Sequence, residues 1–153
     1  EEDGTLTLTA ADGSQTITER YNFVFETPRY DDLDGNGTPE LVVPLFAGAS
    51  NTAYVIWFRP GPASPFVRGA ETAALTFGRS ANGEVVAIGH ASAAEGFYSY
   101  FRITGDTMTP VADALVNVVD GTCTVTDSGG LAALGLTDDE ARERFCDDPV
   151  VTG

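Results

Sequence analysis

The stretch AALTFGRSANGEVVAIGHA, Ala73 to Ala91, decides the class of fold. Asn82 and Gly83 in ANGE (81–84) tolerate the backbone that a tight reversal needs. Branched and aromatic residues flank the turn on both sides, as strands prefer. The stretch therefore reads as a β-hairpin. The same grammar recurs to either side. Upstream, TLTLTA (5–10) meets ADGSQ and continues as TITERYNFVFE (16–26), a first hairpin. Downstream, GFYSYFRITGDTMTPVADALVNVV (96–119) turns at TGDT, a third. The three share turn chemistry but not length or apolar register, so they are not a true repeat.

The segments between the hairpins extend this reading. ELVVPLF (40–46) is a strand interrupted by Pro44, which cannot donate to a ladder; the strand is an edge or is bulged there. TAYVIWF (52–58) is apolar on both faces, with Ala53, Val55 and Trp57 opposite Tyr54, Ile56 and Phe58. Such a strand needs cover on both sides and is expected at the centre of a sheet. RPGPASPF (59–66) is a proline-rich loop. SGGLAALGLTDDEARERFCDD (128–148) is the one helical segment. Thr137 with Glu140 forms a capping box, and Asp138 and Asp139 suit the positive end of the helix dipole. The expected fold is mainly β, with α+β as the neighbouring class. It is an antiparallel meander of about seven to nine strands in one domain over residues 1–153, with a small C-terminal helical segment.

Composition narrows the partners. Twenty-three acids stand against 8 bases, every one an arginine, for a net charge of −15. That balance disfavours nucleic acid and anionic lipid, both of which require cationic neutralisation. It leaves cations and an unidentified protein or glycan at the cell surface. With 42% hydrophobic residues the chain has a core to bury. No apolar run is long enough to span a membrane as a helix. The opening EEDGTLTLTAADGSQ reads as a mature or trimmed terminus, behind which a signal or lipid anchor would leave no trace.

Cys123 and Cys146 bracket a segment that ends in a short acidic helix. There is no CxxC pair, and the single His90 is remote, so zinc is poorly supported. A disulfide would clip the C-terminal part onto the sheet and contribute about 3 kcal/mol. The alternative is two buried thiols in a reducing compartment. Together with the loop described next, the bracket favours the disulfide and an exported protein.

YDDLDGNGTPELVVPLF, Tyr30 to Phe46, is where the chemistry concentrates. Counted from Asp32, positions 1, 3 and 5 are Asp32, Asp34 and Asn36. Gly37 supplies a permissive turn at position 6, Thr38 a carbonyl at 7, and Glu40 a carboxylate at 9. Calcium takes six to eight oxygens, and alternate side chains plus a carbonyl can supply them. Position 12 is Val43 rather than a bidentate glutamate, and Pro39 with the β-rich run excludes a following helix. An EF-hand is therefore ruled out. The plain alternative is an Asx-rich turn whose carboxylates cap loop amides. The D-x-D-G-N-G-x-x-E pattern leading into a strand resembles the calcium loops of FG-GAP and VCBS-type repeats. The wider phrase resembles small exported proteins and lipoproteins of actinobacteria. The resemblance covers about a dozen residues and implies Asp32, Asp34, Asn36, Thr38 and Glu40 as calcium ligands. Affinity would fall in the weak extracellular range of about 10⁻⁴–10⁻³ M. A whole propeller, at roughly 40–50 residues a blade, does not fit the chain.

Other candidates are weaker. His90 and Ser92 are neighbours in sequence, which does not build a Ser-His-Asp arrangement. Carboxylates near residues 31–40 would serve a hydrolase only if two faced each other across a cleft. Tyr98, Tyr100 and Arg102 share one strand face, a binding platform if exposed and sheet core if not. The sequence thus describes an exported, non-enzymatic binding or structural domain of the cell envelope with a structural calcium site. An accessory subunit of an envelope complex is the alternative, and it predicts a surface apolar patch containing Tyr98 or Trp57.

Overall fold

The computed structural model describes residues 3–22 and 26–153. The protein is mainly β, with antiparallel strands and a small C-terminal helical region. β1 (Asp3–Thr9) and β2 (Thr16–Asn22) form a separate hairpin. The part of the second expected strand at residues 23–25 lies outside the described residues. β3 (Arg29–Asp31), β4 (Glu40–Ala47), β5 (Thr52–Phe58) and β6 (Val67–Ala74) form one sheet in sequential order. β7 (Thr76–Arg79), β8 (Val85–His90), β9 (Glu95–Thr104), β10 (Thr107–Asn117) and β11 (Cys123–Asp127) form a second. The meander is thus split between these two sheets and the separate β1–β2 hairpin. It has eleven strands among the described residues, against the seven to nine expected. The additional three are β3, β6 and β11.

Strand alternation assigns each face a partner. Val42, Tyr54 and Ile56 from the first sheet meet Val85, Ala87 and Phe101 from the second, so the two sheets pack face to face. On the outer face of the first sheet, Leu41, Val43 and Val55 pack against Ile17, Leu6 and Leu8 of the β1–β2 hairpin. This supplies the two-sided cover that TAYVIWF requires, and β5 does lie between β4 and β6. Each fully buried branched residue there contributes roughly 1.5–3 kcal/mol. The hairpin is also clipped by polar contacts. Glu19, nearly buried, accepts from Trp57 Nε1 at 3.0 Å and from Arg68 Nε at 2.6 Å.

Pro44 sits at a register shift in the β4–β5 ladder, between Pro44 and Phe46. β3 reaches only to Val42 on the other side. The proline therefore lies at a bulge and beyond its short neighbour, where a missing N–H costs no ladder bond.

The helical segment covers the outer face of the second sheet. α1 (Asp138–Cys146) begins with the expected capping box, Thr137 and Glu140 each bonding the other's backbone N–H. A short α2 (Pro149–Thr152) follows, and a 3-10 turn at Ala132–Leu134 precedes it. Ala141 and Phe145 pack onto Val86, Tyr100, Val111 and Ala114. Cys123 on β11 and Cys146 at the end of α1 form the disulfide, with Cα atoms 6.0 Å apart. No helix among the described residues is long and apolar enough to cross a membrane.

Of the two readings of Tyr98, Tyr100 and Arg102, platform or sheet core, this arrangement takes sheet core for Tyr100. Tyr100 is fully buried, its ring 4.8 Å from that of Phe145, and its hydroxyl donates to the Phe145 carbonyl at 2.9 Å. Tyr98 packs into the same cluster. Arg102 donates to Glu84 at 3.0 Å. Tyr100 is interior because α1 lies over it, Tyr98 is partly covered, and Arg102 at the far end keeps part of its surface exposed. Trp57 is likewise partly covered by the hairpin. Among the described residues, the large apolar side chains that do stand exposed are Tyr30, Phe46, Leu75, Val118 and Val119.

Candidate metal centre

Residues 32–39 connect β3 to β4 at one end of the sandwich. Two glycines with positive φ, Gly35 at 76° and Gly37 at 84°, let the chain reverse between its acidic residues. Leu33 points the other way and is buried in the core between the sheets. That plug fixes the middle of the loop. Its neighbours Asp32 and Asp34 remain half-buried, and Asn36 is exposed.

Much of the loop is held by its own side chains. Asp34 Oδ1 accepts from the Asn36 N–H at 3.0 Å, and Asn36 Oδ1 accepts from the Thr38 N–H at 2.6 Å. Asn36 Nδ2 donates to Asp34 Oδ2 at 2.9 Å. Asp32 Oδ2 accepts from the Gly37 N–H at 3.1 Å. These are the Asx-type bonds that the sequence chemistry allows.

Glu40 differs. It is the first residue of β4 and is fully buried. One carboxylate oxygen, Oε2, accepts from the Leu33 N–H at 2.7 Å. The other, Oε1, is buried and has no hydrogen-bond partner, and the same holds for Asp32 Oδ1. Asp32, Asp34 and Glu40 each bring one carboxylate oxygen within 4.8 Å of the others. Burial pushes the Glu40 carboxyl up to about 7; the nearby charges of Asp34 and Asp32 push the same way, and the Leu33 N–H opposes them. The ensemble is all oxygen, negatively charged and short of donors. Such a set suits a hard cation and not a soft one.

Of the five residues expected as ligands, the structure brings three carboxylates together. Asn36 and Thr38 are tied into the loop's own hydrogen bonds; Thr38 is itself buried.

One participant was not legible. Arg79, the last residue of β7 on the other sheet, reaches across to the loop. Its Nε donates to the Leu33 carbonyl at 3.1 Å, and its Nη2 to the Asp32 carbonyl at 2.6 Å. The guanidinium lies against Gly35, where a Cβ would fall 2.4 Å from Arg79 Cζ. No local sequence signal links residues 46 positions apart.

A second ionic cluster lies beyond Arg79. Glu84, almost fully buried, accepts from Arg102 and from Arg144 of α1 at 2.5 Å, and Ser80 Oγ also donates to it. Burial alone would raise its carboxyl, but the Ser80, Arg144 and Arg102 hydrogen bonds outweigh that and hold it below its ordinary value.

Comparison with protein-family models, with curated proteins and with solved structures finds no match for this chain, so the chemistry of the loop rests on its own atoms.

Proposed function

We propose that the protein is an exported, non-enzymatic β-sandwich that binds or scaffolds at the cell envelope, and that the Asp32–Glu40 loop holds one structural calcium ion. The observation that carries the metal reading is Glu40 Oε1. A fully buried carboxylate oxygen with no donor, beside two further carboxylates, is costly unless a cation pairs it. Asp32, Asp34 and Glu40 would be the charged ligands, with the Thr38 carbonyl and the Asn36 amide oxygen completing the shell. The ion would neutralise the cluster and pin the chain at the entry to β4. Export is supported by the Cys123–Cys146 disulfide, which suits an oxidising compartment.

Thermal unfolding in calcium and then in chelator tests the metal reading. At about 10 mM calcium, affinity in the weak extracellular range gives roughly 1.4–2.7 kcal/mol, or a melting rise of roughly 3–10 °C. Asp34→Ala should abolish the rise. Unchanged melting of the wild-type protein at that concentration would sink the reading.

A further inference from the structure

We propose that Arg79 is a positioning residue of the cation site, holding the loop in ligand-ready form from the opposite sheet. The inference rests on the calcium reading above and adds to it a residue that touches no ion.

The geometry is specific. Two donors of one planar guanidinium take the carbonyls of two successive loop residues, Asp32 and Leu33. That fork fixes the direction of the peptide between them, and so the direction in which the Asp32 side chain leaves the chain. Asp32 is the first of the three converging carboxylates, and its Oδ1 is buried without a donor. On the far side, Leu33 is plugged into the core and its N–H holds Glu40 Oε2. The Asp32–Leu33 dipeptide is thus gripped by Arg79 from β7, by Glu40 from β4 and by the core around the Leu33 side chain. The loop otherwise crosses from β3 to β4 on its own Asx bonds, which an exposed, glycine-rich segment can exchange for water.

Two roles for Arg79 predict opposite signs. As a bystander cation beside an anionic site, it would repel calcium, and its removal would tighten binding. As a positioning residue, it orders a ligand, and its removal would weaken binding, as loss of outer contacts commonly does by about 10–100-fold. A purely structural role would lower the melting temperature equally with and without calcium and leave affinity unchanged.

The test is calcium titration by calorimetry on the full chain, comparing wild type with Arg79→Gln and Arg79→Lys. The expected result is at least about a tenfold rise in Kd for Arg79→Gln. Arg79→Lys should recover only part of it, because an ammonium keeps the charge but loses the fork. Equal or tighter binding in Arg79→Gln overturns the proposal while leaving the calcium site standing. Absence of any calcium heat in the wild type overturns both. If Arg79→Gln does not fold, the lysine variant decides: wild-type affinity there would show that charge suffices and would overturn the fork.

Discussion

Glu84 on the turn before β8 accepts a hydrogen bond from Arg144 on α1, 60 residues along the chain, at 2.5 Å. The carboxylate is almost fully buried, whereas the two arginines that flank it keep part of their surface in water. The pair is therefore asymmetric: the acid depends on the bases more than they depend on it. Glu84→Gln keeps the shape and removes the charge, and should destabilise the fold by about 2–3 kcal/mol. The effect should also depend on pH. A carboxyl held below its ordinary value of 4.5 contributes stability that is fully present above that pH. The contribution is lost as pH falls through the lower folded value. Melting of wild type and variant should thus differ at neutral pH, start to approach each other as pH falls below about 4.5, and meet only below the lower folded value. A gap that stayed constant to low pH would show that the charge is not what holds α1.

The Tyr100–Phe145 contact makes the second prediction. Because Tyr100 is interior, Phe145→Ala should cost about 3–5 kcal/mol by leaving a cavity over the sheet. Tyr100→Phe should cost about 1–2 kcal/mol by orphaning the Phe145 carbonyl. Chemical denaturation would read both. A near-neutral Phe145→Ala would mean that α1 does not cover the sheet in solution and would restore the binding-platform reading.

The disulfide makes the third. Thiol titration of the denatured, unreduced protein should find no free thiol, and replacing both cysteines by serine should lower stability by about 3 kcal/mol. α1 and β11 should loosen first, since Cys123 and Cys146 join those two elements. Two free thiols would remove the main support for export.

What could be read from the sequence follows from how local each cause is. The hairpins were legible because turns at residues 10–15, 80–84 and 104–107 are set by a few adjacent residues. The capping box at Thr137 was legible for the same reason. β3, β6 and β11 were not. β3 has only three residues and exists because β4 pairs with it. β6, VRGAETAA, is an edge strand that carries Arg68 and Glu71. β11, CTVTD, is polar and also lies at an edge. Edge strands need neither strong propensity nor apolar faces, so their pattern fades. The alternation of Tyr98 and Tyr100 was visible, but which element would lie over them was not. In the loop, Asp32, Asp34 and Glu40 could be grouped from spacing alone. The full burial of Glu40 depends on β4 entering a sandwich, and the reach of Arg79 depends on how two sheets stack.

Gly35 joins these threads in the last prediction. Its φ of 76° already disfavours a side chain, and an added Cβ would meet the Arg79 guanidinium at 2.4 Å. Since the guanidinium is the mobile end of a long side chain, it and not the backbone would yield. Yielding breaks its bonds to the Asp32 and Leu33 carbonyls. Gly35→Ala should therefore destabilise by about 1–3 kcal/mol, through backbone strain plus loss of the Arg79 contact. Only the first part should remain in an Arg79→Gln background. A double-mutant cycle should show coupling of about 0.5–1.5 kcal/mol between the two sites, read from denaturation midpoints. Strict additivity would mean that the glycine serves the turn alone and that Arg79 does not grip the loop in solution.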